Sequence, residues 1–211
     1  DLETLLRGLL LINKTRRLDV NSISLNRRDI LKVIDFTQNE NTPIPQEVVA
    51  TLGFFDGVHI GHQHLLDQVK AEAKRSDLPS AVITFPIHPR KVLNTDYQPK
   101  LLCGLQEKLD RLADTGIDYC IVLPFTKELS ELSAEKFISQ VLSKKLNVHT
   151  LLIGYDHRFG HNREEGFEAY KRYGEQAGMN VVLATEYKLD GEDVSSSQVR
   201  RLLIAGDVVK A

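Results

Sequence analysis

The chain has 211 residues, 42% of them hydrophobic and 27% charged, with 27 Lys and Arg set against 29 Asp and Glu. That is ordinary globular composition, which excludes a disordered or fibrous chain and leaves enough apolar material for a sizeable core. A formal charge of -2 removes bulk electrostatics as a reason for binding nucleic acid or an anionic membrane. No apolar run approaches the roughly 20 residues of a membrane span. The LLLI of residues 9–12 follows Asp1 and Glu3, not the basic start of a signal peptide. Two cysteines, Cys103 and Cys120, in a domain of this size fit a reducing compartment. The expectation is a cytoplasmic protein with neither nucleic acid nor membrane as partner.

Leu2, Leu5, Leu6, Leu9 and Leu10 follow helical spacing and predict a short amphipathic helix, while residues 35–46 (DFTQNENTPIPQ) read as polar linker. Residues 1–46 are thus expected to form an N-terminal extension of unknown role, and residues 47–211 the domain. From residue 48 short β-branched runs alternate with amphipathic stretches: VVATLG (48–53), SAVITF (80–85), YCIVLP (119–124), HTLLIG (149–154) and NVVLAT (180–185). Five near-continuous apolar runs predict an α/β domain with a doubly wound parallel sheet of about five strands, covered on both faces. Leu65, Leu66, Val69 and Ala73 mark the helix after the first strand. A second helix is expected over about 106–114, and a third over 134–145 with Ser133 as its N-cap and Glu135 in its first turn. The last helix, about 197–205, is stopped by Gly206.

In such a sheet, ligands bind beyond the carboxyl ends of the strands. The first strand is followed by FFDGVHIGH (54–62) and then by a helix. Gly53, Gly57 and Gly61 let backbone approach a ligand closely, and His59 and His62 arrive at a helix start. Free N–H groups, the positive end of the helix dipole and two imidazoles make an anion site. The plainer alternative is that the two histidines only cap and pack. Neither a GxxxxGK[ST] phosphate loop nor a GxGxxG turn is present. On the last helix, Ser197, Arg200 and Arg201 share one arc, with Val199, Leu202 and Leu203 opposite and expected to pack on the sheet. This is a second candidate anion-binding end, although Arg201 equally fits a solvated basic face and Ser195 and Ser196 fit simple caps.

His59-Ile60-Gly61-His62 resembles the HxGH signature of the nucleotidylyltransferase superfamily, and GFFDGVHIGH (53–62) resembles the adenylyltransferase module of the prokaryotic bifunctional riboflavin kinase/FMN adenylyltransferase family. TFPIHP (84–89), GYDHRFG (154–160) and VSSSQVR (194–200) are similar to further segments of that family in the same order. The resemblance covers about residues 47–211 and implies a Rossmann-like sheet of the nucleotidylyltransferase type. It implies an FMN adenylyltransferase, or FAD synthetase, that moves AMP from ATP to FMN to give FAD and pyrophosphate. ATP would lie on Gly53, Phe54, Phe55, Asp56, Gly57, His59, Gly61, His62, Ser196, Ser197 and Arg200, with His59, His62 and Arg200 as the catalytic residues. His88, Pro89, Asp156, Arg158 and Phe159 would form the flavin site. Mg²⁺ would come with ATP and need no protein ligand. Ser197 stands where the family usually has Thr, and Cys103-Gly104 where a Thr-rich helix start is common. No Pro-Thr-x-Asn kinase signature is present, so riboflavin kinase activity is not expected.

Transfer of this kind requires positioning and charge stabilisation and no protein nucleophile, because a phosphate oxygen attacks in line. Three rivals stand beside it. Another HxGH nucleotidylyltransferase would use a different phosphorylated metabolite, such as nicotinamide mononucleotide or phosphopantetheine. A metal-dependent hydrolase would bind its ion through His59, His62, His88 and Asp156. A non-catalytic module would bind flavin or nucleotide alone.

Overall fold

The apolar runs at residues 48, 80 and 119 are buried at every position of their strands, as a sheet covered on both faces requires. In the computed structural model, which describes residues 31–94, 96, 98, 100–154, 157–161, 165–189 and 191–211, these runs are β2 (Val48–Leu52), β3 (Ser80–Thr84) and β4 (Tyr119–Val122). They join β1 (Lys32–Asp35), β5 (Val148–Ile153) and β6 (Asn180–Leu183) in one parallel sheet of order β1-β4-β3-β2-β5-β6. The expected helix near residues 2–10 lies outside the described residues.

β1 corrects the expected boundaries. Its register with β4, Lys32 beside Tyr119 through Asp35 beside Val122, places residues marked as extension and linker inside the sheet. Phe36, just beyond it, is buried in the core. The strand escaped detection because it is a short edge strand reading Lys-Val-Ile-Asp, with Val33 45% exposed, so it lacks the continuous apolar run of a central strand.

Alternate side chains along each strand feed two cores. On one face, Val49, Val82, Cys120, Val122 and Leu152 meet Leu66, Val69 and Ala73 of α1 (Ile60–Ser76) and Leu112 of α3 (Leu105–Asp114). On the other, Ala50, Ile83, Ile121 and Leu151 meet Phe137, Ile138, Val141 and Leu142 of α5 (Ala134–Lys136 with Phe137–Lys145) and Tyr170 of α6 (Phe167–Gln176). α5 begins as Ala134–Lys136, capped by the Ser133 hydroxyl, and continues as a π-helix over Phe137–Lys145. Leu146 N–H accordingly donates to the carbonyl five residues back, on Val141. Two short helices, α2 (Pro89–Leu93) and α4 (Lys127–Ser130), follow β3 and β4, and a two-stranded hairpin, β7 (Lys188–Leu189) with β8 (Glu192–Asp193), precedes α7 (Ser196–Ile204).

The connections from β2 run to β3 and β4 on one side, while β5 returns to β2's other edge. That reversal makes the crevice beyond the carboxyl ends of β2 and β5 the place for a ligand. α7 differs from expectation: none of its residues is buried, and Leu203 is 46% exposed. Its apolar side does not pack on the sheet. It lines an open groove with Val58, Ile60 and Leu102.

Candidate active site

The loop after β2 is folded tightly. Phe55, Gly57 and Val58 all take positive φ, at 55°, 80° and 45°. For Phe and Val this conformation costs on the order of 1–3 kcal/mol each and needs surroundings that impose it. A side chain at Gly57 would also meet Leu102, whose Cδ1 lies 2.8 Å from where a Cβ would sit. The surroundings are polar and specific. Asp56, 3% exposed, accepts at Oδ1 from the Leu102 and Cys103 N–H groups (2.9 and 3.3 Å) and at Oδ2 from Arg200 Nη2 (3.0 Å). Its carbonyl accepts from the Ser196 hydroxyl at 3.0 Å, and Gly57 N–H donates to Cys103 Sγ at 3.2 Å. Cys103 thus supports the loop through both its sulfur and its N–H.

The strained turn delivers His59 as the N-cap of α1, its Nδ1 accepting from His62 N–H at 3.3 Å. That bond assigns the proton of the neutral ring to Nε2. The two imidazoles stack, 3.6 Å between centroids and 18° apart, and the Phe55 ring lies 5.0 Å from His62. Gly61 permits this, because a Cβ there would come 3.3 Å from both His59 Nδ1 and the Val194 carbonyl. Burial pushes the His59 pKa down to about 4 against the nearby Asp56 carboxylate, which opposes the shift. Burial, then His59, then Lys108 hold His62 well below the usual histidine range. Both rings are therefore neutral near pH 7. His62 Nδ1 is buried without a hydrogen-bond partner, as is Arg200 Nε.

α7 brings the second anion-binding end to the same place. Ser195 caps it, accepting from Gln198 N–H, and Ser197 Oγ accepts from Arg200 Nη1 at 3.3 Å, so that the Ser197 hydroxyl proton stays available. The Ser196 proton is already donated to the Asp56 carbonyl, which makes Ser196 a tether for α7 and not a phosphate donor. Arg201 lines a polar pocket with Lys188, Glu192, Asp193 and Ser197, and also the groove that holds Gly57 and His59.

The positions expected to hold flavin divide. His88 caps α2 through Nδ1, and its ring meets Phe54 edge-on at 4.7 Å. Burial, then Arg90, then Arg200 lower its pKa, which places it near the Arg200 end of the site. Pro89 starts α2. Phe159 belongs to the core: its ring stacks on Tyr170 at 4.1 Å, and its N–H and carbonyl are both hydrogen-bonded to the Tyr170 hydroxyl. It supports its loop and does not offer its ring to a ligand. Arg158 lies beside Gly166 at the start of α6. Asp156 is outside the described residues. Phe55, 2% exposed, likewise spends its ring on the core and can present only backbone.

Lys108 is a site residue that the sequence analysis missed. It is 2% exposed, and its ammonium donates to the carbonyls of Phe54 (2.8 Å) and Phe85 (3.0 Å) and to Thr84 Oγ1 (3.3 Å). The visible signal was a lysine on the apolar arc of α3 with Leu105, Leu109 and Leu112. Among the described residues no group of three or more His, Cys, Asp or Glu could hold a metal ion, and both Asp56 oxygens are already engaged. No described helix is long and apolar enough to cross a membrane.

Residues 41–198 match the sequence profile of FAD synthetase. The chain is 38% identical over 160 residues, 75% of its length, to the bifunctional riboflavin kinase/FMN adenylyltransferase of Escherichia coli (strain K12), of which it covers 51%. It is 34% identical over 164 residues to the protein of the same description from Listeria monocytogenes, covering 77% of this chain and 52% of that one. The chain thus spans about half the length of these curated relatives. A solved structure described as a macrolide-efflux protein from Streptococcus pneumoniae superposes with a TM-score of 0.71 at 25% identity, over 86% of this chain and 60% of that one.

Proposed function

This chain belongs to the FAD synthetase family, and from that premise we propose that it transfers the AMP of MgATP to FMN, releasing FAD and pyrophosphate. One oxygen of the FMN phosphate attacks the α-phosphorus of ATP in line. The bond from that phosphorus to the bridging oxygen breaks, and magnesium pyrophosphate leaves with the electron pair. The observation that carries this reading is the convergence of two helix N-termini, α1 with its stacked His59 and His62 and α7 with Ser197 and Arg200, on the two sides of Asp56.

Each neutral imidazole donates one N–H toward the phosphates as charge builds on them, and burial strengthens that interaction. Arg200, already oriented by Asp56 and 25% exposed, offers its guanidinium, and the Ser197 hydroxyl adds a donor, both to the departing phosphates. His88, which caps α2 in the loop after β3 with its ring against Phe54, would contact the flavin nucleotide. The magnesium ion belongs to the substrate and neutralises its phosphate charge.

Incubation with ATP, Mg²⁺ and FMN, followed by chromatography, should yield FAD and pyrophosphate in equal amounts. Nicotinamide mononucleotide and phosphopantetheine should not replace FMN. Adenylylation of either in preference to FMN, or no FAD at all, would refute the assignment.

A further inference from the structure

A lysine among carbonyls is an odd choice for a buried position, since an apolar side chain would fill the space without desolvating a charge. Lys108 occupies such a position. It is 2% exposed, its three N–H groups go to the Phe54 carbonyl, the Phe85 carbonyl and Thr84 Oγ1, and no carboxylate among the described residues pairs with it. The ammonium also sits 3.8 Å from the centre of the Phe54 ring, whose edge contact reaches His88.

The two carbonyls belong to different loops. Phe54 begins the loop that carries His59 and His62, and Phe85 begins the loop that carries His88 and Pro89. The Thr84 hydroxyl also donates to the Phe54 carbonyl, at 3.1 Å. Lys108 is thus the knot between the loop facing ATP and the loop facing the flavin nucleotide. It is also a surplus charge, because the nearby acid on the loop, Asp56, is already matched by Arg200.

We propose that Lys108 is a positioning residue of the transfer site, which fixes the spacing of these two loops through the Phe54 and Phe85 carbonyls and adds a positive charge to the phosphate pocket. This inference rests on the proposed reading that the site binds ATP and FMN. The groups facing the ammonium are Asp56, His62, His88, Cys103 and Cys120. Burial lowers the Lys108 pKa to about 8, with Cys103, Cys120 and Asp56 opposing. The charge, and one of the three donors, is therefore lost as pH rises through about 8.

The test is calorimetric titration of MgATP into the full chain at about pH 7.5 and about pH 9.5, for the wild type, Lys108→Met and Lys108→Arg, with FAD formation measured in parallel. Wild type should bind MgATP about tenfold more weakly at the higher pH. Lys108→Met should bind weakly at both values. Lys108→Arg keeps its charge throughout and should lose the pH dependence. A merely structural lysine would lower the melting temperature in Lys108→Met and leave the pH dependence of ATP affinity as in wild type, and that result would overturn the proposal. If Lys108→Met does not fold, wild type and Lys108→Arg decide it: equal affinity at the two pH values in wild type, or an undiminished dependence in Lys108→Arg, also overturns it. Absence of FAD alongside the expected pattern of ATP binding would instead break the proposed reaction and leave Lys108's role toward phosphate standing.

Discussion

α1 and α7 present their N-termini to the same crevice, yet they are held there by different forces. α1 spans 17 residues and buries Leu66, Val69 and Ala73 against the sheet. α7 spans nine and buries none; its described ties to the site are the Ser196 hydroxyl and the Arg200 guanidinium, both on Asp56. The core fixes one helix, and two polar side chains bonded to Asp56 fix the other. Stability and chemistry are therefore separable on α1 and joined on α7.

The largest expected effect lies at His62. His62→Ala removes one preorganised donor and should lower kcat by about 10² to 10³ in a steady-state FAD assay. A wild-type rate would remove His62 from the reaction. Next comes Asp56→Ala, which leaves Arg200 unpaired and frees α7. Truncating one partner of a buried pair costs about 3–5 kcal/mol, and the low end applies here because Arg200 is 25% exposed. Its activity loss should match that of Arg200→Ala, with the double variant no worse than either single one. Leu66→Ala on α1 is the contrast: a loss of about 2–5 kcal/mol in denaturant titration, with kcat unchanged where the protein is folded. Similar losses of activity in Leu66→Ala and Asp56→Ala would erase the distinction between the helices.

Arg200→Lys keeps the charge but loses the planar fork shared between Asp56 and Ser197. KM for ATP should rise about tenfold, and Arg201→Ala, which leaves the Arg200 bonds to Asp56 and Ser197 in place, should change it less than about twofold. Equal effects would mean a diffuse basic face. The smallest expected change is none at all. With the His59 pKa lowered to about 4 and that of His62 lower than usual, NMR signals of both rings should stay fixed from about pH 8 down to about pH 5. The unfolded chain takes up those protons near pH 6.5 and the folded one does not, so stability should fall as pH drops through that window. A ring signal of either residue titrating near pH 6.5 would contradict the neutral stacked pair.

Much of this was legible in the sequence. Buried parallel strands leave unbroken apolar runs, so β2 to β6, with α1, α3 and α5, stood where the pattern put them, whereas α2, α4 and α6 were not singled out. β1 did not, because an edge strand with a lysine and an aspartate at its ends carries no such run. The site's donors were legible from the Gly-rich turn and the Ser-Arg helix. What they are bonded to was not: Asp56 joining residues 102–103 to Arg200 is a contact over more than 140 positions of chain, which no local pattern encodes. Phe159 looked like a ligand contact because its loop does, yet burial against Tyr170 decides its role. Lys108 was hidden because a lysine inside an amphipathic helix reads as solvated surface until the packing is known.

Isotope exchange tests direct transfer between the two helix ends most sharply. Radiolabelled pyrophosphate is mixed with ATP, Mg²⁺ and the protein, with and without FMN, and label is sought in ATP. Direct attack by the FMN phosphate predicts that label enters ATP when FMN is present and FAD can form, and stays in pyrophosphate when FMN is left out. Label entering ATP without FMN would mean that the protein itself accepts AMP, and no exchange under either condition would mean that this site does not transfer AMP to FMN.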